Sequence, residues 1–76
     1  MARGWIHTVH RSDSSDWANK VEGEDGPASV HPTKDAAVAR GREMAIAAQT
    51  EHVIHNMDGT ISERNSYGND PHPPAG

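Results

Sequence analysis

Residues 33–49 read Thr33-Lys34-Asp35-Ala36-Ala37-Val38-Ala39-Arg40-Gly41-Arg42-Glu43-Met44-Ala45-Ile46-Ala47-Ala48-Gln49, and the rest of the fold is built around this stretch. Ala is the strongest helix former, and the run Lys34 to Gln49 is rich in it. Thr33 is a good N-cap, and Asp35 in the first turn complements the helix dipole. Stepping about 100° per residue, Ala37, Val38, Gly41, Met44, Ala45 and Ala48 fall within an arc of roughly 120°, the width of a core-facing stripe. Gly41 costs a mid-helix position about 1 kcal/mol relative to Ala, which suggests a close approach of the helix to whatever it covers. Ile46 lies opposite the stripe, beside Ala39, Arg42 and Glu43, where it offers a contact for the C-terminal tail or for a second subunit.

Working upstream, Pro32 ends a short strand over 28–31, since Pro has no N–H to give a ladder. Gly23-Glu24-Asp25-Gly26-Pro27 is a turn. Trp17 to Glu22 and Trp5 to His10 read as strands joined by the polar loop Arg11-Ser12-Asp13-Ser14-Ser15-Asp16, which makes a hairpin. On the first strand Trp5, His7 and Val9 share one face, while Ile6, Thr8 and His10 share the other.

Downstream, Glu51 to His55 is a strand centred on Val53-Ile54. Asn56-Met57-Asp58-Gly59 is a hairpin turn, because Asp-Gly tolerates the positive φ such turns need. Thr60 to Arg64 follows as a strand with Ile61 as its inward anchor. Pro71, Pro73 and Pro74 then forbid a helix or a central strand. The expected order is β-β-β-α-β-β: an α+β fold with a mostly antiparallel sheet, one helix packed on one face, and an extended Pro-rich C-terminal tail. Residues 1–66 form a single domain, and residues 67–76 are a Tyr/Pro-rich tail packed on that domain or on a partner.

The string Val53-Ile54-His55, Asp58-Gly59, Ile61, then Ser66-Tyr67-Gly68-x-Asp70-Pro71-x-Pro73-Pro74 resembles the small bacterial proteins of domain-of-unknown-function family 2188. Trp17-Ala18, Glu22-Gly23 and Thr33 with Ala36-Ala37 are similar to the same family, so the likeness covers nearly the whole chain. The Tyr-Gly-x-Asp-Pro-x-Pro-Pro tail is its most specific part. Asn19 stands where an apolar strand residue is expected, and Asn56-Met57 where a Gly-basic pair is commoner. The resemblance implies the fold and no known activity.

With 76 residues, the chain has room for one domain with a thin core. Cys and Phe are absent, so disulfides, thiolate metal sites and thiol catalysis are excluded. Such small domains often gain stability by oligomerising, which points to a homodimer or another protein as partner. The net charge is −4, from seven basic and eleven acidic residues, and the basic residues are scattered. Binding to nucleic acid rests on phosphate neutralisation, so this charge argues against it. No apolar stretch resembles a signal peptide or a membrane span, which leaves cytoplasmic residence and no membrane as the expectation.

The six histidines His7, His10, His31, His52, His55 and His72 invite a metal reading. His7 and His10 face opposite sides of a strand, as do His52 and His55, so ligands would have to converge between strands, for instance His7 with His55. Ser12, Ser14 and Ser15 sit in a solvated turn with no nucleophile elbow, and there is no Gly-rich phosphate loop. No catalytic, metal or cofactor-binding residue is therefore named, and the chain is not expected to be an enzyme.

The residues expected to make contacts are Trp5, Trp17, Ile46, Tyr67, Asp70, Pro71, Pro73 and Pro74. Trp5 and Trp17, on neighbouring strands of one hairpin, suit core packing or an aromatic platform for a ligand or single-stranded nucleic acid. Tyr67 and the prolines suit clamping of the tail onto the domain or docking into a partner. The expected role is a non-catalytic interaction or homo-oligomerising module. The alternatives are a nucleic-acid-binding accessory domain and a small histidine-based metal-binding protein.

Overall fold

A computed structural model describes residues 4–68. In chain order these are β1 (Ile6–His10), β2 (Trp17–Val21), β3 (Ser29–His31), α1 (Lys34–Ala48), β4 (Glu51–His55) and β5 (Ile61–Ser66). The five strands form one sheet in the order β3-β2-β1-β4-β5, antiparallel except for the central pair of β1 with β4. Parallel strands need a long crossover, and α1 with its loops supplies it. The expected α+β architecture is the one observed. Of the expected tail residues, Asp70, Pro71, Pro73 and Pro74 lie outside the described residues.

The helix begins and ends for local reasons. Thr33 has an extended backbone and its side chain accepts a hydrogen bond from the Ala36 N–H at 3.2 Å. At the other end Gln49 adopts the left-handed conformation, φ 57°, and its N–H caps the last turn. Beyond it, the Thr50 N–H reaches the Ala45 carbonyl at 3.0 Å. The predicted stripe is the face turned to the sheet: Ala37, Gly41 and Ala45 are buried, and Val38, Met44 and Ala48 are half-buried. No helix among the described residues is long and apolar enough to cross a membrane.

The apolar core is thin, as the composition implies. It consists of Ile6, Trp17, Ala18, Ala37, Ala45, Val53 and Ile54. The layer between helix and sheet is polar at its centre. Thr8, Asn19 and His52 are among the most deeply buried side chains, and they form a chain of hydrogen bonds. Asn19 Nδ2 donates to the Ala37 carbonyl at 2.9 Å and to Ser29 Oγ at 3.1 Å, which leaves Oδ1 as acceptor. The Thr8 hydroxyl donates to that Oδ1 at 2.6 Å. His52 Nε2, 2.7 Å from the same hydroxyl, must then be the donor. The network crosses β4, β1, β2 and β3 and ties them to α1.

This arrangement explains two features of the sequence. Asn19, placed where an apolar residue is expected, is the hub of the network, and its polarity is satisfied on both ends of the amide. Gly41 lies directly above it. A Cβ there would stand 2.5 Å from Asn19 Oδ1, 2.6 Å from His52 Nε2 and 2.8 Å from Thr8 Oγ1. The close helix-to-sheet approach inferred from Gly41 is what the structure contains.

Two expectations need correction. Ile61 is no inward anchor: it is 60 % exposed. The register of β4 against β5 shifts between Ile54 and His55, so Ile61 pairs with His55, while Glu63 and Asn65 pair with Ile54 and His52. An irregularity of one residue turns Ile61 to the other face of the sheet. The strand also runs on to Ser66 rather than ending at Arg64. Second, Trp5 and Trp17 form no cross-strand pair. Trp17 pairs in register with His10, and Trp5 lies across from Glu22.

Candidate functional site

The helix covers one face of the sheet and leaves the other open. Strand alternation assigns the open face Trp5, His7 and Val9 from β1 and its lead-in, together with Ala18, Lys20 and Glu22 from β2 and the residue after it. Val30 joins them from β3, Glu51, Val53 and His55 from β4, and Ile61, Arg64 and Ser66 from β5. Trp5, Val30 and Ile61 are among the exposed large apolar side chains. Ala18 and Val53 on the same face are buried, because in-register neighbours flank them: Val9 and Val30 for the first, His7 and Arg64 for the second.

At the middle of this face three side chains form a polar relay. His7 Nδ1 lies 3.0 Å from His55 Nε2, and His7 Nε2 lies 3.0 Å from Glu22 Oε2. The hydrogen bond from His7, and after it one from the Trp5 backbone N–H, hold the Glu22 carboxyl below the usual carboxylate range. An ionised Glu22 only accepts, so His7 Nε2 donates to it. In a neutral His7, Nδ1 is then the acceptor, and the His55 Nε2–H donates to it. The rings are 5.2 Å apart between centroids and inclined by 32°. A cavity of about 350 Å³ opens over the relay, with His7, Val9, Lys20, Glu22 and His55 in its lining.

The strands place this relay for simple reasons. The parallel pairing sets His7 opposite Val53, so His55 lies two residues farther along β4 on the same face. The antiparallel hairpin sets Glu22 just past the end of β2, within reach of both His7 and Trp5. Beside the relay, the Arg64 guanidinium sits 5.6 Å from the centre of a Trp5 ring. Arg64 Nε also lies 3.3 Å from Glu51 Oε1; that pair has ion-pair distance without hydrogen-bond geometry, since Oε1 lacks a hydrogen-bond partner. Glu51 Oε2 accepts from the Ser66 hydroxyl at 3.1 Å.

The contact residues expected from sequence separate in space. Trp5 is on the open face and 37 % exposed. Trp17 is buried at the covered face, edge-to-face with His10 at 5.0 Å and under the Lys34 ammonium at 5.4 Å. Ile46 lies on α1 outside its buried stripe and is 51 % exposed. Tyr67 is half-buried, and its N–H donates to the Thr50 carbonyl at 3.2 Å, which fastens the end of β5 to the helix C-terminus. The next residue, Gly68, passes so close to Gln49 that a Cβ would overlap the Gln49 backbone.

The pairing of His7 with His55 is visible in the sequence as an inter-strand convergence. Glu22, Arg64 and Lys20 were missed as its surroundings, because only the strand register brings them there. No group of three or more His, Cys, Asp or Glu side chains among the described residues is arranged to hold a metal ion. A second groove, about 690 Å³, runs between the last turns of α1 and the ends of β1 and β2, past Ile6, Val21, Met44 and Ala47. Arg40 and Glu43, paired at 3.2 Å, form part of its rim.

The family model described as an uncharacterized protein conserved in bacteria (DUF2188) matches residues 6–67, most of the chain. No curated protein and no solved structure matches it.

Proposed function

The chain belongs to the bacterial family DUF2188, and we propose that it is a non-catalytic module that pairs with a second copy of itself through the open face of the sheet. One observation carries this reading. The uncovered face bears Trp5, Val9, Val30 and Ile61 among polar residues, whereas a sheet with a single covered face ordinarily alternates apolar-in and polar-out.

A second copy fits as the occupant because the face carries both signs of charge, Lys20 and Arg64 with Glu22 and Glu51, and because small domains with a thin core often gain stability by oligomerising. The available area sets the strength. Five strands about 4.8 Å apart and about five residues long span a face of roughly 24 by 17 Å. Two such faces bury roughly 800 Å² in all, below the range of stable specific interfaces, hence a weak, transient pair that depends on concentration.

Sedimentation velocity over a concentration series tests it. A dimer should appear as concentration rises, and the double variant Val30→Lys/Ile61→Lys should remain monomeric with an unchanged melting curve. A wild-type chain that is monomeric at millimolar concentration, or a variant that associates as well as wild type, would remove the proposal.

A further inference from the structure

We infer that the His7–His55 pair is a two-nitrogen site for a borderline transition-metal cation of the zinc class, with Glu22 as the carboxylate that orients His7. The site lies on one chain and does not depend on dimerisation.

Three geometric facts support it. First, the two nitrogens already face one another at 3.0 Å, with the ring centroids 5.2 Å apart. A tetrahedral ion about 2.05 Å from each nitrogen needs them roughly 3.3 Å apart and the ring centroids roughly 5.2 Å apart. The nitrogen separation is therefore already close to the metal-bound value, and turns of the two side-chain torsions are what redirect the lone pairs, by roughly 35° each, to one shared spot.

Second, His7 is prepared as a ligand by its far side. Glu22 Oε2 accepts from Nε2–H at 3.0 Å, so a neutral His7 presents the Nδ1 lone pair toward His55. Carboxylate–histidine–metal arrangements use this second hydrogen bond to hold the ring and raise the basicity of the coordinating nitrogen. Glu22 is itself anchored, since its other oxygen takes the Trp5 N–H at 3.4 Å.

Third, the spot is reachable in the unpaired chain, since the proposed pairing would cover this face. The cavity over the pair is lined by His7 and His55, and its volume accommodates the water molecules that fill the remaining coordination positions. Binding replaces the proton between the rings: His55 changes tautomer, its Nε2–H passing through solvent to its own Nδ1, and both His7 Nδ1 and His55 Nε2 then donate lone pairs to the cation. The choice of metal follows from the ligands, because imidazole nitrogens suit zinc, copper and nickel over magnesium or calcium. The buried His52 is not part of the site; its Nε2 is committed to Thr8 beneath the helix.

The test is calorimetric titration of zinc chloride into the full chain carrying no affinity tag. One zinc per chain should bind. His55→Ala and His7→Ala should each weaken binding at least tenfold, and Glu22→Gln should weaken it by about tenfold. Nitrogen-15 spectra of the imidazoles should show the shifts concentrated at His7 Nδ1 and His55 Nε2, a signature that loss of structure would not produce. An absence of binding at millimolar zinc, or a His7→Ala/His55→Ala variant that binds as wild type does, would overturn the inference. Unchanged affinity in Glu22→Gln would overturn the part given to Glu22. Neither result bears on whether the chain dimerises, because self-association is read in the presence of a chelator.

Discussion

The two faces of the sheet carry the same kinds of side chain and treat them in opposite ways. On the covered face, His52, Thr8 and Asn19 are shut in beneath Gly41, and their hydrogen bonds run to one another, to Ser29 and to the Ala37 carbonyl. On the open face, His7, His55 and Glu22 form a chain of similar length, half-exposed and lying under a cavity. Burial pushes the His52 imidazole below the ordinary histidine range, an effect partly opposed by the negative charge of Glu63. The lesson is that the layer above a histidine, more than its neighbours within the strand, determines whether it holds the fold together or is available for binding. Buried polar groups are costly to disturb, because a partner left behind has no water to turn to. Exposed ones exchange partners freely.

The contrast is open to attack in four ways. The largest effect is expected at Gly41. Gly41→Ala drives a methyl group into three polar atoms, and should destabilise the chain by about 2–3 kcal/mol in urea denaturation, despite the better helix propensity of Ala. A stabilised variant would show that the helix can lift off the network at no cost.

Next is Asn19→Leu, which takes away the acceptor of the Thr8 O–H and the side-chain donor to the Ala37 carbonyl, and should cost about 2 kcal/mol. The double variant Thr8→Val/Asn19→Leu should lose less than the sum of the two single losses, by about 1 kcal/mol, because each first change removes a partner of the second. Strict additivity would mean that the two do not act as one network.

The third effect is a dependence on pH. His52 is held neutral in the folded chain, so the unfolded chain binds the proton more readily. The contribution from His52 is fully present above the ordinary histidine value of about 6.5 and is lost as pH falls below it toward the lower folded-state value. Denaturation midpoints between neutral and mildly acidic pH should therefore drop in the wild type and drop less in His52→Gln. The Glu22 carboxyl adds a separate, acid-side component: its folded value is lowered, so its contribution holds above about 4.5 and disappears as pH falls further.

The smallest effect on stability is expected on the open face. Trp5→Lys should shift the folding free energy by no more than about 0.5 kcal/mol, as substitutions at exposed positions usually do. The same change should weaken self-association measured by sedimentation. A large loss of stability without a change in association would make Trp5 a part of the core instead.

Much of this was readable along the chain. The helix came from Thr33, the Ala-rich run and its stripe, and all six stripe positions turn to the sheet. The Asp58-Gly59 turn forms with Gly59 at φ 92°, closed by the Asn56 N–H to the Thr60 carbonyl at 2.7 Å. Asn19 was visible as a misfit, but a misfit in a strand does not say which partners resolve it. Ile61 was misassigned because a one-residue irregularity leaves no mark in the alternation of five residues. Glu22 was invisible as a partner of His7, because the two are 15 positions apart and meet only through the hairpin register.

The amino-acid order by itself determined the kind and order of the elements, the sheet-facing side of the helix and the thinness of the core. These follow from periods of two and 3.6 residues, from caps and from turn chemistry, all of which act within a few positions. Only the tertiary structure decided that β1 lies beside β4, that Asn19, Thr8 and His52 meet under Gly41, and that His55, His7 and Glu22 line up in the open. Strand pairing is a contact between distant parts of the chain, and a single step of register exchanges the faces of every side chain on a strand.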